Sequence, residues 1–275
     1  MLFPAVGPLG MVALRLGFSA IILVLICRPR LRGYRARDWA TVVLFGLALA
    51  SMNGLFYEAL DRVPLGATVT IEVLGPLVLS VVTSRRAASW LWAVLAFLGV
   101  ALLGEGSFGR LDALGVVFAF GAAVCWAAYI LLSARTGRRF PRIDGLAIAM
   151  AVGAIVILPI GIVSAGPAIL EPRILLLGAA VALLSSTIPY AFELIALRRI
   201  PSATFSILMS LTPAIATAAG LILLGQRLTV VGAVAIALVI TASIGAVRMA
   251  RRDALLAGRP LPTTPLDHGE DHAHR

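Results

Sequence analysis

The chain has 275 residues, 60% of them apolar and only 13% charged, and its 23 basic residues (all arginine) outnumber 13 acids to give a net charge of +10. A soluble domain carries about 25% charged residues, so the polar coat for soluble cores of this size is missing and the class is integral membrane. A strong positive charge suits nucleic acid only when it gathers on one soluble face, and the arginines here are spread along the chain between apolar runs, so no nucleic-acid partner is expected.

Nine apolar stretches follow in order, at 7–27, 39–60, 65–83, 89–104, 111–133, 144–165, 174–197, 202–224 and 228–249. Each approaches the roughly 20 residues that a helix needs to cross the hydrocarbon. None alternates with period two, so the expected fold is an all-α polytopic helix bundle. Arginine placement orients it. Loop 28–37, the pairs Arg85-Arg86 and Arg198-Arg199, the stretch 135–142 and the C-terminal end hold 18 of the 23 arginines. The positive-inside rule puts that side, and the C-terminus, in the cytoplasm.

The two halves echo one another. Arg62-Val63-Pro64 recurs as Arg199-Ile200-Pro201 at an offset of 137 residues, and the same offset carries Pro76 onto Pro213. By the arginine count, spans 65–83 and 202–224 run in opposite directions, which reads as an inverted-topology repeat with its site near midplane. The expected division is a first repeat over 1–104, a second over 105–250 and a disordered cytoplasmic tail over 251–275. The second repeat has five helices and the first has four. The pattern therefore predicts a first helix ahead of Met1 that a misassigned start has removed; a natural nine-helix variant is the alternative.

Ionisable groups inside spans carry an insertion cost of about 2.5–3.5 kcal/mol and point to function. Arg15 and Glu72 both sit near the middle of their spans, and Glu193 lies closer to the cytoplasmic end of its own. An arginine fork can bind a carboxylate through two parallel bonds, and a buried carboxyl can take an ammonium group or exchange a proton. A site with both fits an amino acid. The structural alternative is an Arg15–Glu72 or Arg15–Glu193 ion pair holding the repeats in register. Asn53 and Tyr190, with Ser185, Ser186 and Thr187, are polar groups for substrate contact or for interhelical hydrogen bonds, and Trp126 is deep enough to line a cavity. Pro76, Pro189 and Pro213 each free a backbone carbonyl within a span; Pro76 and Pro213 are candidate hinges or packing kinks. Glu58 reads as interfacial.

Other signals lead nowhere. Gly104-Glu105-Gly106-Ser107-Phe108-Gly109 fits G-x-G-x-x-G, but no strand precedes it and it joins two membrane helices. Cys27 and Cys125 read as apolar fillers, and the tail histidines 268, 272 and 274 as solvated. No metal or cofactor is expected, and neither a metal or nucleophile constellation nor a histidine lies within the spans, so the chain reads as a non-enzyme.

Several stretches carry a resemblance: Leu2-Phe3-Pro4, Ala13-Leu14-Arg15-Leu16, Met52-Asn53 with Leu55-Phe56-Tyr57, Val63-Pro64-Leu65-Gly66, Glu72 with Gly75-Pro76-Leu77, and Cys125-Trp126-Ala127 with Tyr129-Ile130-Leu131. The second half adds Pro189-Tyr190, Glu193 with Ile195-Ala196-Leu197, and Leu208-Met209-Ser210 with Pro213-Ala214. On these the chain resembles the drug/metabolite transporter superfamily of EamA type, particularly its threonine/homoserine exporters of the bacterial inner membrane. The resemblance implies ten helices in two repeats of five, and export of small amino acids by alternating access. Proton coupling fits the available carboxylates. Thr212 and Gln226 depart from it, each replacing an acid, which leaves another small metabolite or a cationic drug as an alternative substrate and a non-transporting scaffold as an alternative class. The expected partners are the amino-acid substrate and the lipid bilayer, with a second copy of the chain a candidate.

Overall fold

A computed structural model describes residues 3–84, 87–107, 112–199 and 229–256, together with Ile215, Ala219, Ile222 and Leu223. Among these the secondary structure is entirely helical. The elements are α1 (Phe3–Cys27), α2 (Ala36–Leu60), α3 (Leu65–Glu72), α4 (Leu74–Ser84), α5 (Ala87–Ser107), α6 (Ala113–Arg139) and α7 (Asp144–Ala165). A short 3-10 turn, Gly166–Leu170, leads into α8 (Pro172–Ala182), a π turn (Leu183–Thr187), α9 (Ile188–Arg199) and α10 (Val230–Leu256).

Among the described residues five helical stretches are long and apolar enough to cross a bilayer: Phe3–Cys27, Ala36–Leu60, Ala113–Arg139, Asp144–Leu170 and Pro172–Ile195. Shorter apolar helical stretches occupy Leu65–Leu79, Trp90–Gly99 and Val230–Ala246. Of the expected span 202–224 only Ile215, Ala219, Ile222 and Leu223 are described, and Thr212 and the hinge candidate Pro213 lie outside the described residues. Outward side chains such as Ile155, Val163, Leu176 and Phe192 are large, apolar and exposed. A soluble surface avoids apolar area of this extent, while lipid tails accept it.

Two expected spans are each divided. The stretch 65–83 breaks at Val73 into α3 and α4. Pro76 has no N–H to give to the carbonyl of Glu72 four residues back, so Glu72 is left at the end of one helix and faces the start of another. The stretch 174–197 widens into the π turn just before Pro189, where the Ile188 N–H reaches back to the Leu183 carbonyl. Such widenings absorb a missing hydrogen bond without ending the helix.

Packing joins α1 along α7, α2 along both α6 and α7, and α5 along α10, with α1 also lying against α8 and the π turn. Small residues permit this closeness. A Cβ on Gly46 of α2 would stand 2.5 Å from the Ala149 carbonyl oxygen of α7, and one on Gly153 of α7 would stand 3.0 Å from the Gly46 carbonyl oxygen. At Gly75, directly before Pro76, a Cβ would collide with the Ala123 carbonyl of α6. The largest core unites Leu16, Leu49, Phe45, Tyr129 and Met150 from four helices. A second core holds Ile71, Leu77, Ala96 and Val239. Trp126 packs against both.

Candidate functional site

Arg15 lies in the middle of α1, and its side chain points at α2 and the π turn. It is 7% exposed. Its Nε donates to Ser186 Oγ at 3.0 Å, Nη1 to the Tyr57 hydroxyl at 2.6 Å, and Nη2 to the Ser185 carbonyl oxygen at 3.0 Å. The guanidinium carbon also stands 5.0 Å from the centroid of the Tyr57 ring, within cation–π range. The Ser185 carbonyl is the one that Pro189, four residues on, cannot serve. The proline in α9 thus creates the acceptor that the arginine in α1 occupies.

Beside this node Ser19 donates to the Ala182 carbonyl at 3.2 Å and receives the Thr187 hydroxyl at 3.0 Å. One face of α1 is therefore sewn to the π turn by side-chain bonds alone. Hydrogen bonds from a charged donor contribute about 1.5–3 kcal/mol each, so three of them outweigh an insertion cost of about 2.5–3.5 kcal/mol for the arginine. The cation is held by neutral acceptors. Among the described residues no carboxylate lies within 4 Å of it as an ion pair. The structural alternative of a direct Arg15–Glu72 or Arg15–Glu193 bridge is not formed.

A second string runs from the same centre. Asn53 Nδ2 donates to the Leu49 carbonyl at 2.9 Å and to the Tyr190 hydroxyl at 3.0 Å. The Tyr190 ring lies 5.9 Å from that of Tyr129, centroid to centroid. The Tyr129 hydroxyl hydrogen-bonds the Glu193 carboxylate, whose Oε1 is buried with no partner among the described residues. Glu72, half-buried at the end of α3, stands within electrostatic range of both Arg15 and Tyr190. The residues singled out in the sequence (Arg15, Asn53, Glu72, Tyr190 and Glu193) therefore converge, contributed by α1, α2, α3 and α9. Trp126 abuts this region from α6 through both cores. Pro76 sits in the first turn of α4, directly after Glu72 and the break.

Tyr57 and Tyr129 belong to the site and were not singled out as functional from the sequence. Tyr57 lies four residues beyond Asn53, on the same face of α2, and Tyr129 three beyond Trp126 on α6. That spacing from a polar or deep aromatic neighbour was the available signal. Glu58 is elsewhere: it pairs with Arg62 at 2.7 Å, and Arg62 also stands 3.5 Å from Asp112 at the start of α6. At the opposite end of the bundle Asp38 and Arg139 pair at 3.7 Å. Nearby, Tyr34 in the loop between α1 and α2 has its phenol pushed up by burial and by the Asp144 carboxylate. Cys27 and Cys125 are free thiols, partly buried.

Fold and site together define a polytopic helical membrane protein with a charged centre between its helices. The EamA-like transporter family profile matches residues 113–248. The threonine/homoserine exporter RhtA of Salmonella typhimurium (strain LT2) is 41% identical over 255 residues, which span 92% of this chain and 86% of that protein. Its counterpart in Escherichia coli (strain K12) is 38% identical over the same shares. The uncharacterized transporter YwfM of Bacillus subtilis (strain 168) is 27% identical over 81% of this chain and 78% of its own. A crystal structure of a protein 20% identical superposes with a TM-score of 0.66 across 91% of each chain, a likeness of fold. The chain belongs to the EamA-like transporter family.

Proposed function

We propose that this protein is a secondary active transporter of the bacterial inner membrane that exports small amino acids, threonine- or homoserine-like, by alternating access coupled to protons. The observation that carries the reading is the Arg15 node. A guanidinium has five N–H donors, and the three bonds described above leave one on each Nη. Those two form the fork that a substrate carboxylate fits, on a buried cation that has no anionic partner within 4 Å among the described residues. Glu72 and Glu193 then receive the ammonium group or the coupling proton. The relatives named as threonine/homoserine exporters support this choice of substrate.

The packing supports an inverted repeat. If α1 corresponds to α7, α2 to the α8–α9 unit and α5 to α10, then the α1–α7 and α5–α10 contacts each map onto themselves. The α2–α7 contact maps onto the contact of α8 with α1. All of these are observed. In the proposed cycle the broken helices at Val73 and Pro189 let each half flex at the site, with Pro76 and Pro213 as paired hinges. The arginine-rich side and the C-terminus face the cytoplasm.

The test is uptake of radiolabelled threonine by inverted membrane vesicles, with and without an imposed pH gradient, against a panel of other amino acids, small metabolites and cationic dyes. Threonine or homoserine uptake that follows the gradient is the expected result. Uptake of only a different solute would reassign the substrate. Silence across the panel would leave a non-transporting scaffold and refute the proposal.

A further inference from the structure

Tyr129, Ser133 and Thr136 lie on one face of α6, four and then three residues apart. Ser133 and Thr136 are each 1% exposed; the Ser133 hydroxyl faces the Tyr129 hydroxyl within hydrogen-bond reach, and the Thr136 hydroxyl oxygen has no hydrogen-bond partner among the described residues. This is unusual within a helix, where a serine or threonine can turn back to the carbonyl four residues earlier. Thr41, Thr70 and Thr241 each do so, at 2.9, 2.6 and 2.7 Å. The two α6 hydroxyls decline the same option. The Thr136 oxygen joins Glu193 Oε1 as a buried acceptor without a protein partner among the described residues, and Tyr129 connects that carboxylate to Ser133 on the same face.

At its far end the face reaches Asp144. The Thr136 methyl packs against Gly145, and Asp144, directly before it, is 7% exposed at the first turn of α7. This end carries the arginine-rich stretch 135–142 and is the cytoplasmic one in the topology proposed above. Side chains buried to this degree offer an amino acid no surface. An orphaned hydroxyl would cost about 1–3 kcal/mol, a cost removed by small polar species such as water.

We infer that Tyr129, Ser133, Thr136 and Asp144 form a proton path between Glu193 and the cytoplasm. The inference rests on the proton-coupled export proposed above and names the residues that serve it. Protonated Glu193 releases its proton toward the α6 face. Each hydroxyl or intervening water accepts one proton and passes on another, and the Asp144 carboxylate receives the last and delivers it to the cytoplasmic solvent. Glu193 is left as carboxylate, one proton has crossed, and no electron moves. Glu193 faces Tyr129 of α6 and Tyr190 of its own helix. Asp144 faces Cys27 of α1 and Tyr34 of the following loop, with the Asp38–Arg139 pair at the same end of the bundle.

The test uses the full chain in proteoliposomes, comparing wild type with Ser133→Ala/Thr136→Val and with the hydroxyl-keeping pair Ser133→Thr/Thr136→Ser. One assay follows threonine–threonine exchange at equal pH, and the other follows proton movement driven by a threonine gradient, read with an entrapped pH dye. The first pair is expected to lose proton movement by about ten-fold, a modest share of what a positioned proton carrier supplies, while exchange stays within about two-fold. The second pair is expected to retain both. If the first pair fails to insert, the single changes Ser133→Ala and Thr136→Val, each removing one hydroxyl, read the same quantity. Unchanged proton movement, or an equal fall in both assays, overturns the path while leaving export intact. So does wild-type exchange without any proton movement. Absence of wild-type exchange would instead remove the export reading, and the path with it.

Discussion

Replacing Arg15 with lysine separates the charge of the site from its shape. The three acceptors around Arg15 (Ser186 Oγ, the Tyr57 hydroxyl and the Ser185 carbonyl oxygen) use three of five guanidinium N–H groups. A lysine ammonium has three donors in all, so serving the same acceptors leaves none for a substrate carboxylate, and releasing any of them orphans a buried oxygen. The carboxylate then loses two charge-assisted bonds of about 1.5–3 kcal/mol each, while the attraction of a retained positive charge returns part of that. Taking a net loss of about 2 kcal/mol, the apparent KM for threonine should rise about 30-fold. Counterflow in proteoliposomes measures it, with threoninol, which lacks the carboxylate, as the internal control. Wild type should favour threonine strongly over threoninol, and Arg15→Lys should flatten that preference. An Arg15→Lys protein with threonine KM within about two-fold of wild type and an intact preference would refute the assignment of the carboxylate to this residue.

Three other outcomes follow from the same geometry. Glu72→Gln keeps the shape at the end of α3 and removes its charge; export should stop while the protein reaches the membrane at normal levels, as immunoblotting of the membrane fraction reports, and normal export would exclude Glu72 from coupling. Pro189→Ala supplies the missing N–H and lets α8 and α9 join as a regular helix, so thermal stability in detergent should rise by about 1 kcal/mol or more, while threonine transport falls because the Ser185 carbonyl is no longer reserved for Arg15. Undiminished transport in the stabilised variant would separate the proline from the site. Gly46→Val places carbon 2.5 Å or less from the Ala149 carbonyl oxygen, and the α2–α7 contact should lose about 1–3 kcal/mol, read as an earlier thermal midpoint; an unshifted midpoint would show that the two helices can separate freely.

Much of the frame was legible because hydrocarbon imposes strict demands. Apolar runs marked α1, α2, α6 and α7 to within a few residues at most of their ends, and an ionisable residue inside such a run is conspicuous, which is how Arg15, Glu72 and Glu193 stood out. What stayed hidden was backbone behaviour. Hydropathy continues unbroken across Val73 and across 183–187, so the runs read as single helices although Pro76 and Pro189 marked the places of strain. The protein partners of Arg15 stayed hidden for a related reason. Opposite charge made a glutamate the structural alternative, whereas one acceptor is a main-chain carbonyl, which no side-chain inventory displays. Ser133 and Thr136 escaped notice because a helical hydroxyl that bonds its own backbone and one that does not have the same letter.

Two costs meet at the centre of this protein and each relieves the other. A proline within a membrane helix strands a carbonyl where water is scarce, and an arginine in the same layer needs acceptors that lipid cannot give. Pro189 and Arg15 sit on different helices, assigned here to different repeats, and the bond from Nη2 to the Ser185 carbonyl satisfies both residues at once. That bond cannot be indifferent to a substrate. In the proposed reading a substrate carboxylate takes the remaining N–H groups of the same guanidinium, so binding and the attachment of α1 to the π turn are linked through one planar group. Lysine would hold the charge without that linkage. In the proposed export cycle, this makes Arg15 the point where occupancy of the site is converted into a change in how the two halves are joined.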